Sequence, residues 1–316
     1  MDIHQPAPGR ESRTDVGPPS DASTVTVVAL RHPLRWVSAT IILFLAAWWL
    51  WVLVTTPSFQ WGVVGQYLFA PPVIAGVLST IGITVAAMVI GAGLGTVIAI
   101  MRLSTNPFLQ GVSGLYVWFF RGTPTLLQLL FWFNLASVFP RLGLGFGSVQ
   151  LFSWDTNKVM TPLVATLLGL GLNLAAYYSE IVRAGILSVD EGQLDATTAY
   201  GFSRAQTLWH VILPQAMRVI IPPTGNELIG LLKWSSLASV ISFGELLNSV
   251  QTIYSRTFEV VPLLSVAAVW YLALTTVLSI GQHFIEKRFA RGTHRTAPPS
   301  FFSQLMKPFT TRKARA

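Results

Sequence analysis

The stretch VIAGVLSTIGITVAAMVIGAGLGTVIAIM, residues 73–101, runs without a single Asp, Glu, Lys or Arg. About 20 such residues suffice for a helix to cross the hydrocarbon core of a bilayer, so this segment reads as a membrane span. Outward from it, five further apolar runs lie at residues 36–54, 125–139, 162–181, 219–243 and 261–284. The third is short unless it begins before Arg121, and Pro222, Pro223 and Gly225 are expected to break the fifth. The composition agrees: 52% of the residues are hydrophobic, 11% are charged and the mean hydropathy is +0.57, whereas soluble domains carry about 25% charged residues. The expected fold is an all-α integral membrane protein with about six transmembrane helices.

Within the first stretch, Thr80, Thr84, Ala87, Gly91 and Gly95 recur at helical spacing, a stripe that lets a second helix approach closely in lipid. The glycines of GAGLGT lack G-x-G-x-x-G spacing and follow no strand, so they are not read as a nucleotide loop. Cysteine is absent, which excludes a disulfide scaffold, a thiolate metal site and a cysteine nucleophile.

The net charge of +8 does not point to nucleic acid, because it is concentrated at one end. From residue 286 onward Lys287, Arg288, Arg291, Arg295, Lys307, Arg312, Lys313 and Arg315 face a single acid, Glu286. A cytoplasmic tail lying near anionic membrane lipid accounts for them. Basic residues accumulate on the cytoplasmic side of spans. With the N-terminus inside, only Arg141, Lys158 and Arg256 of the 21 Lys and Arg fall in outer loops, while Lys233 lies within a span. Both termini are therefore expected in the cytoplasm. Residues 1–35 read as a disordered cytoplasmic tail without a cleavable signal peptide, 36–54 as a retained extra span, 72–285 as a five-helix core and 286–316 as the basic tail. Trp48, Trp49 and Trp51 suit an outer interfacial belt.

Residues 188–217 form a soluble-looking interruption between two spans. Asp190 with Gln193, and Ser203 with Gln206, have capping-box spacing, which predicts two short helices. Gly201 between them suits a left-handed C-cap. The second helix, carrying Leu208, Trp209, Val211 and Ile212, is expected to end before Pro214. Such a unit either rests on the bilayer surface or docks a cytosolic partner.

This segment resembles the EAA loop of ABC importer permeases: Glu-Ala-Ala, a glycine four residues after the second alanine, then a hydrophobic residue and Leu-Pro. The matching positions are Asp195, Ala196, Thr197, Gly201, Val211, Leu213 and Pro214, with Asp and Thr replacing the usual Glu and second Ala. FFRGTPTLLQLLFWF (119–133), NLAAYYSEIVRAGILSVDEGQ (173–193) and GNELIGLLKWSSLASVI (225–241) are similar to the membrane subunits of polar amino acid importers of the histidine, glutamine and glutamate type. Trp234 follows Lys233 where that family has an acid. The resemblance covers about residues 75–288. It implies a type I permease core of five helices, to which this chain adds one N-terminal span, in the bacterial cytoplasmic membrane. It also implies translocation of a polar amino acid, energised by separate cytosolic ATPase subunits that dock on the loop and bind ATP and Mg. This chain contains no G-x-x-x-x-G-K-[ST] stretch and is expected to be a transport subunit carrying no cofactor, not an enzyme. An extracytoplasmic solute-binding protein and a second permease, identical or paralogous, complete the implied set of partners. In the loop, Gly201 would set the angle between helices, Asp195 would make a polar docking contact, and Leu208, Trp209, Val211 and Ile212 would fill the ATPase groove.

Ionisable residues inside spans are functional candidates by default. Asn173, Tyr177 and Glu180 share one helix face, and Asn226, Gly230 and Lys233 share another, so the two stripes are candidates to line one substrate path, with Lys233 attracting a carboxylate. The structural alternatives pair Glu180 with Arg183 three residues on, and Lys233 with Glu227. A rival function, an ion-coupled carrier, would employ Glu180, Glu227 and Lys233. Carriers of that kind commonly repeat their broken helices, and only one interrupted run is visible here. No catalytic or metal-binding constellation is evident, and His210 has no second ligand at metal spacing.

Overall fold

The computed structural model describes residues 33–146 and 149–289; the predicted N-terminal tail up to residue 32 and the basic tail from residue 290 lie outside these residues. The chain divides into two units, Met1–Thr56 and Pro57–Ala316. The first contains one described helix, α1 (Pro33–Thr55), long and apolar enough to cross a membrane from Val37 on. Its apolar side chains, including Ile42, Leu43, Phe44 and Trp49, are exposed, as lipid-facing residues are.

The second unit opens with α2 (Trp61–Tyr67), α3 (Pro71–Leu103), α4 (Pro107–Gly122) and α5 (Thr125–Phe133). An antiparallel hairpin follows, β1 (Arg141–Phe146) paired with β2 (Val149–Asp155). Then come α6 (Thr156–Val159), α7 (Pro162–Leu187), α8 (Glu191–Ala199), α9 (Arg204–Thr207), α10 (Leu213–Trp234), α11 (Leu246–Thr257) and α12 (Val260–Phe289). In this unit α3, α7 and α12 are by themselves long and apolar enough to span. The hairpin was not expected from the sequence and is the one strand pair among the described residues of an otherwise helical fold.

The α3–α7 pair forms the centre. Every member of the small-residue stripe on α3 is buried, and the approach is close enough that side chains larger than hydrogen do not fit at two positions. A Cβ at Gly91 would lie 2.6 Å from Leu174 Cδ2, and one at Gly95 would lie 2.7 Å from the carbonyl oxygen of Ala175. Ala87, Leu170, Leu174 and Leu231 pack around this seam. A second apolar cluster ties α2 and the start of α3 to α11 and α12 through Val64, Val77, Val250 and Val266.

Three expectations from the sequence are corrected. The third run begins at residue 125 as read, but its helix, α5, ends at Phe133 and not at 139, and it is separated from α4 by a break at Gly122–Thr123–Pro124. Proline at position 124 has no N–H for a continuing helix, and the residue before it is held extended, Thr123 at φ −114°, ψ 143°. The fifth crossing is not broken at Pro222, Pro223 and Gly225, because α10 runs through all three. The carbonyls that lose their helical donors are those of Arg218 and Val219; around the same turn Thr224 Oγ1 donates to Ile220 O at 2.7 Å and Gln282 Nε2 of α12 donates to Pro222 O at 3.2 Å, which ties the turn to α12. Membrane helices tolerate proline where neighbouring helices and side chains hold the affected turn. Gly225 is a close-packing position, since a Cβ there would lie 2.6 Å from Gln282 Cδ. Finally, the helix after Ser203 does not stop at Pro214. A π-helical turn, Leu208–Ile212, joins α9 to α10, with Leu213 N–H bonded to Leu208 O, and this wider turn accommodates the missing proline donor.

Candidate functional site

The loop after α7 is built by local rules. Asp190 caps α8 through Gly192 N–H at 2.9 Å, while Gln193 bonds to Gln215 of α10 and does not close a capping box. The predicted box at Ser203 and Gln206 is complete. Gly201 has φ +72°, and the bonds Gly201 N to Thr198 O and Phe202 N to Thr197 O close a Schellman motif at the end of α8. Thr197, the residue replacing the second alanine of the motif, is buried, and its hydroxyl accepts from Thr207 Oγ1 at 3.1 Å across the turn. Asp195 and Ala196 are exposed beside it.

The apolar patch on the loop differs from the predicted one. Ile212 packs against the cluster of Ala99, Val182, Ala216 and Ile220, and Val211 is half-buried. The large residues left on the surface are Tyr200 (83% exposed), Phe202, Leu208 and Trp209 (65% exposed). Leu213 is half-buried and Pro214 exposed, both within one rod that continues without interruption from Arg204 to Trp234.

Glu180 on α7 accepts from Arg183 Nε at 2.9 Å, as the i, i+3 spacing predicted. Two further arginines converge on it: Arg102 from the last turn of α3 donates a hydrogen bond, and Arg121 from the end of α4 lies 3.8 Å away. Arg121 also stacks its guanidinium over the Tyr177 ring, 5.1 Å from the centroid. The sequence reading missed these partners because they are 78 and 59 positions from Glu180 along the chain.

Asn173 is buried and has a structural task. Its Nδ2 donates to Phe120 O at 2.9 Å and to Gln128 Oε1 at 3.3 Å, while Gln128 Nε2 donates to Phe120 O and to Thr123 O and Oγ1. The two amides thus satisfy carbonyls released where α4 ends inside the bundle, a need imposed by any helix terminus away from water. Gln128 carried no signal in the sequence beyond being the one polar residue between Thr125 and Phe133.

On α10, Asn226 is exposed and accepts from Gln282 Nε2 at 3.0 Å. Glu227 is half-buried, with Oε2 lacking a hydrogen-bond partner among the described residues. Gly230 is half-buried, and Lys233 is exposed with no ion pair among the described residues. Lys233 is therefore not paired with Glu227. No hydrogen bond or ion pair among the described residues joins the α7 stripe to the α10 stripe, and Glu180, Glu227 and Lys233 do not form one cluster. Glu245, not singled out in the sequence, is fully buried. It caps α11 by accepting from Leu247 N and Asn248 N at 2.9 and 2.7 Å, and it also accepts from Tyr271 OH at 2.7 Å.

Comparison with known proteins places this architecture. The family model described as binding-protein-dependent transport system inner membrane component matches residues 91–291. An arginine transport system permease protein of Corynebacterium glutamicum is 46% identical over 268 residues, covering 84% of each chain. An L-cystine transport system permease protein of Bacillus subtilis is 36% identical over 235 residues, covering 74% of this chain and 93% of that one. Among solved structures, a chain of an amino acid ABC transporter crystallised with histidines superposes with a TM-score of 0.61 at 32% identity, covering 71% of this chain and 97% of that chain. A methionine ABC transporter in inward-facing conformation shares the fold at 18% identity, with a TM-score of 0.57 over 70% of this chain and 97% of that chain.

Proposed function

The chain belongs to the binding-protein-dependent transport system inner membrane components, and on that premise we propose that it moves a polar amino acid across the bacterial inner membrane, powered by a separate ATPase docked on residues 188–217. The chain is then the permease subunit of an ATP-binding cassette importer, and ATP and Mg are bound by the partner. One chain supplies one loop, so a pair of ATPase subunits requires two permeases, identical or paralogous. A solute-binding protein delivers substrate on the face opposite the loop, and both termini lie in the cytoplasm.

The observation that carries this reading is the rod from Arg204 to Trp234. Its first part presents Leu208 and Trp209 next to the turn at Gly201, with Tyr200, Phe202 and the polar edge at Asp195 and Ala196 completing the docking face. Its far part carries Asn226, Gly230 and Lys233, of which Asn226 and Lys233 are exposed and Gly230 half-buried. A helix of this length is about 46 Å long, and because it runs through its prolines without a break it acts as a stiff lever. Displacement of the loop when ATPase subunits close on ATP is then transmitted to the α10 stripe and, through α7, to Tyr177 and Glu180. Asn226 and Lys233 offer exposed polar groups to a substrate carboxylate, whereas Asn173 and Glu227 are set back in the packing.

The absence of native cysteine permits a direct test. Ala205 is exposed, and Ala205→Cys in native membranes is expected to crosslink to the ATPase subunit with a yield that changes when ATP is added. Failure at Ala205 and at adjacent loop positions would assign the loop to the bilayer surface instead.

A further inference from the structure

Beneath the loop, on the side facing the end of α12, the chain forms an open cavity of about 360 Å³ bordered by Trp209, Leu213, Met217, Arg218, Arg288 and Phe289. Positions 209, 213 and 217 follow one another by four along the rod, so a single helical stripe forms one wall and the last turn of α12 forms the other. Its volume is within the range of small-ligand sites. Two guanidinium groups border it and no acid does. The nearest carboxylate in sequence, Glu286, is held by Gln282 Nε2 at 2.7 Å and is not part of the lining. Neither Arg218 nor Arg288 forms an ion pair among the described residues.

The surroundings identify the kind of anion. Directly before Arg288, α12 exposes Val277, Ile280, Phe284 and Ile285, and directly after Arg218, α10 exposes Val219. The cavity therefore stands where an apolar, acyl-chain-compatible surface gives way to arginine, with an indole and a phenyl ring at the boundary. Basic pockets between helices at the cytoplasmic interface suit lipid headgroups, and aromatic rings prefer the same level. We propose that the cavity between Trp209 and Arg288 binds the headgroup of an anionic phospholipid, with Arg218 and Arg288 on the phosphate and the acyl chains along α12. Because Trp209 belongs to the loop that docks the ATPase, a bound lipid would brace the base of the lever. This inference rests on the proposed topology, in which the loop and the end of α12 share the cytoplasmic face.

The test uses the assembled transporter in phosphatidylcholine nanodiscs containing graded phosphatidylglycerol. Lipid retained through purification is measured by native mass spectrometry, and ATPase activity is followed in parallel. Each basic side chain at an anionic surface contributes about fivefold in affinity, so Arg218→Gln with Arg288→Gln is expected to weaken phosphatidylglycerol retention by about 30-fold. The doubly lysine-substituted variant should retain most of it, and inorganic phosphate should not compete. Equal retention in the wild type and the double glutamine variant would overturn the proposal, as would efficient competition by free phosphate. Loss of the ATPase subunit from the variant with lipid retention unchanged would also overturn it, by assigning the cavity to the protein partner. Failure of the Ala205→Cys crosslink would refute the docking role while leaving the retention assay interpretable.

Discussion

Gly95→Ala is the substitution that tests the α3–α7 seam most directly. The new Cβ would lie 2.7 Å from a backbone oxygen, Ala175 O, and 2.9 Å from Tyr178 Cβ. The backbone oxygen cannot swing aside, so the helices must separate, and overpacking of this kind costs about 1–3 kcal/mol. Alanine in a helix interior recovers about 0.8–1 kcal/mol relative to glycine, leaving a net loss of up to about 2 kcal/mol. Gly93 provides the internal control: it is exposed, two residues away on the same helix, and a Cβ there meets nothing within 4 Å. Gly93→Ala should therefore stabilise by about 1 kcal/mol, from propensity alone. The difference between the two variants, up to about 3 kcal/mol, corresponds to several degrees in the midpoint of thermal unfolding. Unfolding of the purified protein in detergent, followed by tryptophan fluorescence, reads it. Gly95→Ala melting at or above Gly93→Ala would refute the claim that backbone contact at this glycine sets the helix separation.

Three further outcomes are expected. Gly201→Ala forces a side chain into φ +72° at a cost of about 1–2 kcal/mol; uptake should fall while Gly201→Asn, better tolerated in that region, keeps more of it. Gln128→Leu and Asn173→Leu each withdraw a donor from Phe120 O and should lower stability by about 1–3 kcal/mol. Because the two amides share that acceptor and bond each other, the double variant should be non-additive in thermal unfolding, and strict additivity would count against the bridge. Glu180→Gln leaves Arg102, Arg121 and Arg183 facing one another without a carboxylate. It should depress uptake, and Arg121→Gln in the same chain should restore part of the loss; no restoration in a transport assay would mean that Arg121 is not part of the cluster.

Features governed by nearby residues were legible in the sequence. The capping box at Ser203 and Gln206, the left-handed Gly201 and the Glu180–Arg183 pair each involve groups within four residues, whose geometry follows from helix periodicity. The stripe from Thr80 to Gly95 was legible as a packing face for the same reason. Pro222 and Pro223 misled because a proline removes its donor locally, whereas a group that holds the turn in place, Gln282 of α12, arrives from 60 positions away. Pro214 misled because a π turn, which few local signals announce, supplied the extra residue. The break at Gly122–Pro124 was not read from the sequence, and neither were Gln128 and Asn173 as its caps, because those amides reach it only through packing.

By itself the sequence determined that the protein is a bundle of membrane helices with a soluble helical loop, since desolvation of the backbone in lipid and the 3.6-residue period act on each segment independently. Tertiary structure decided which polar residues in those helices are spoken for. Asn173, Glu180 and Glu245 look alike as polar residues in apolar surroundings. Only the approach of α3, α4, α5 and α12 shows that the first holds a broken helix, the second gathers three arginines and the third caps α11. The reason is physical: a buried polar group must find its partner, and in a bundle of crossing helices that partner is set by packing, not by distance along the chain.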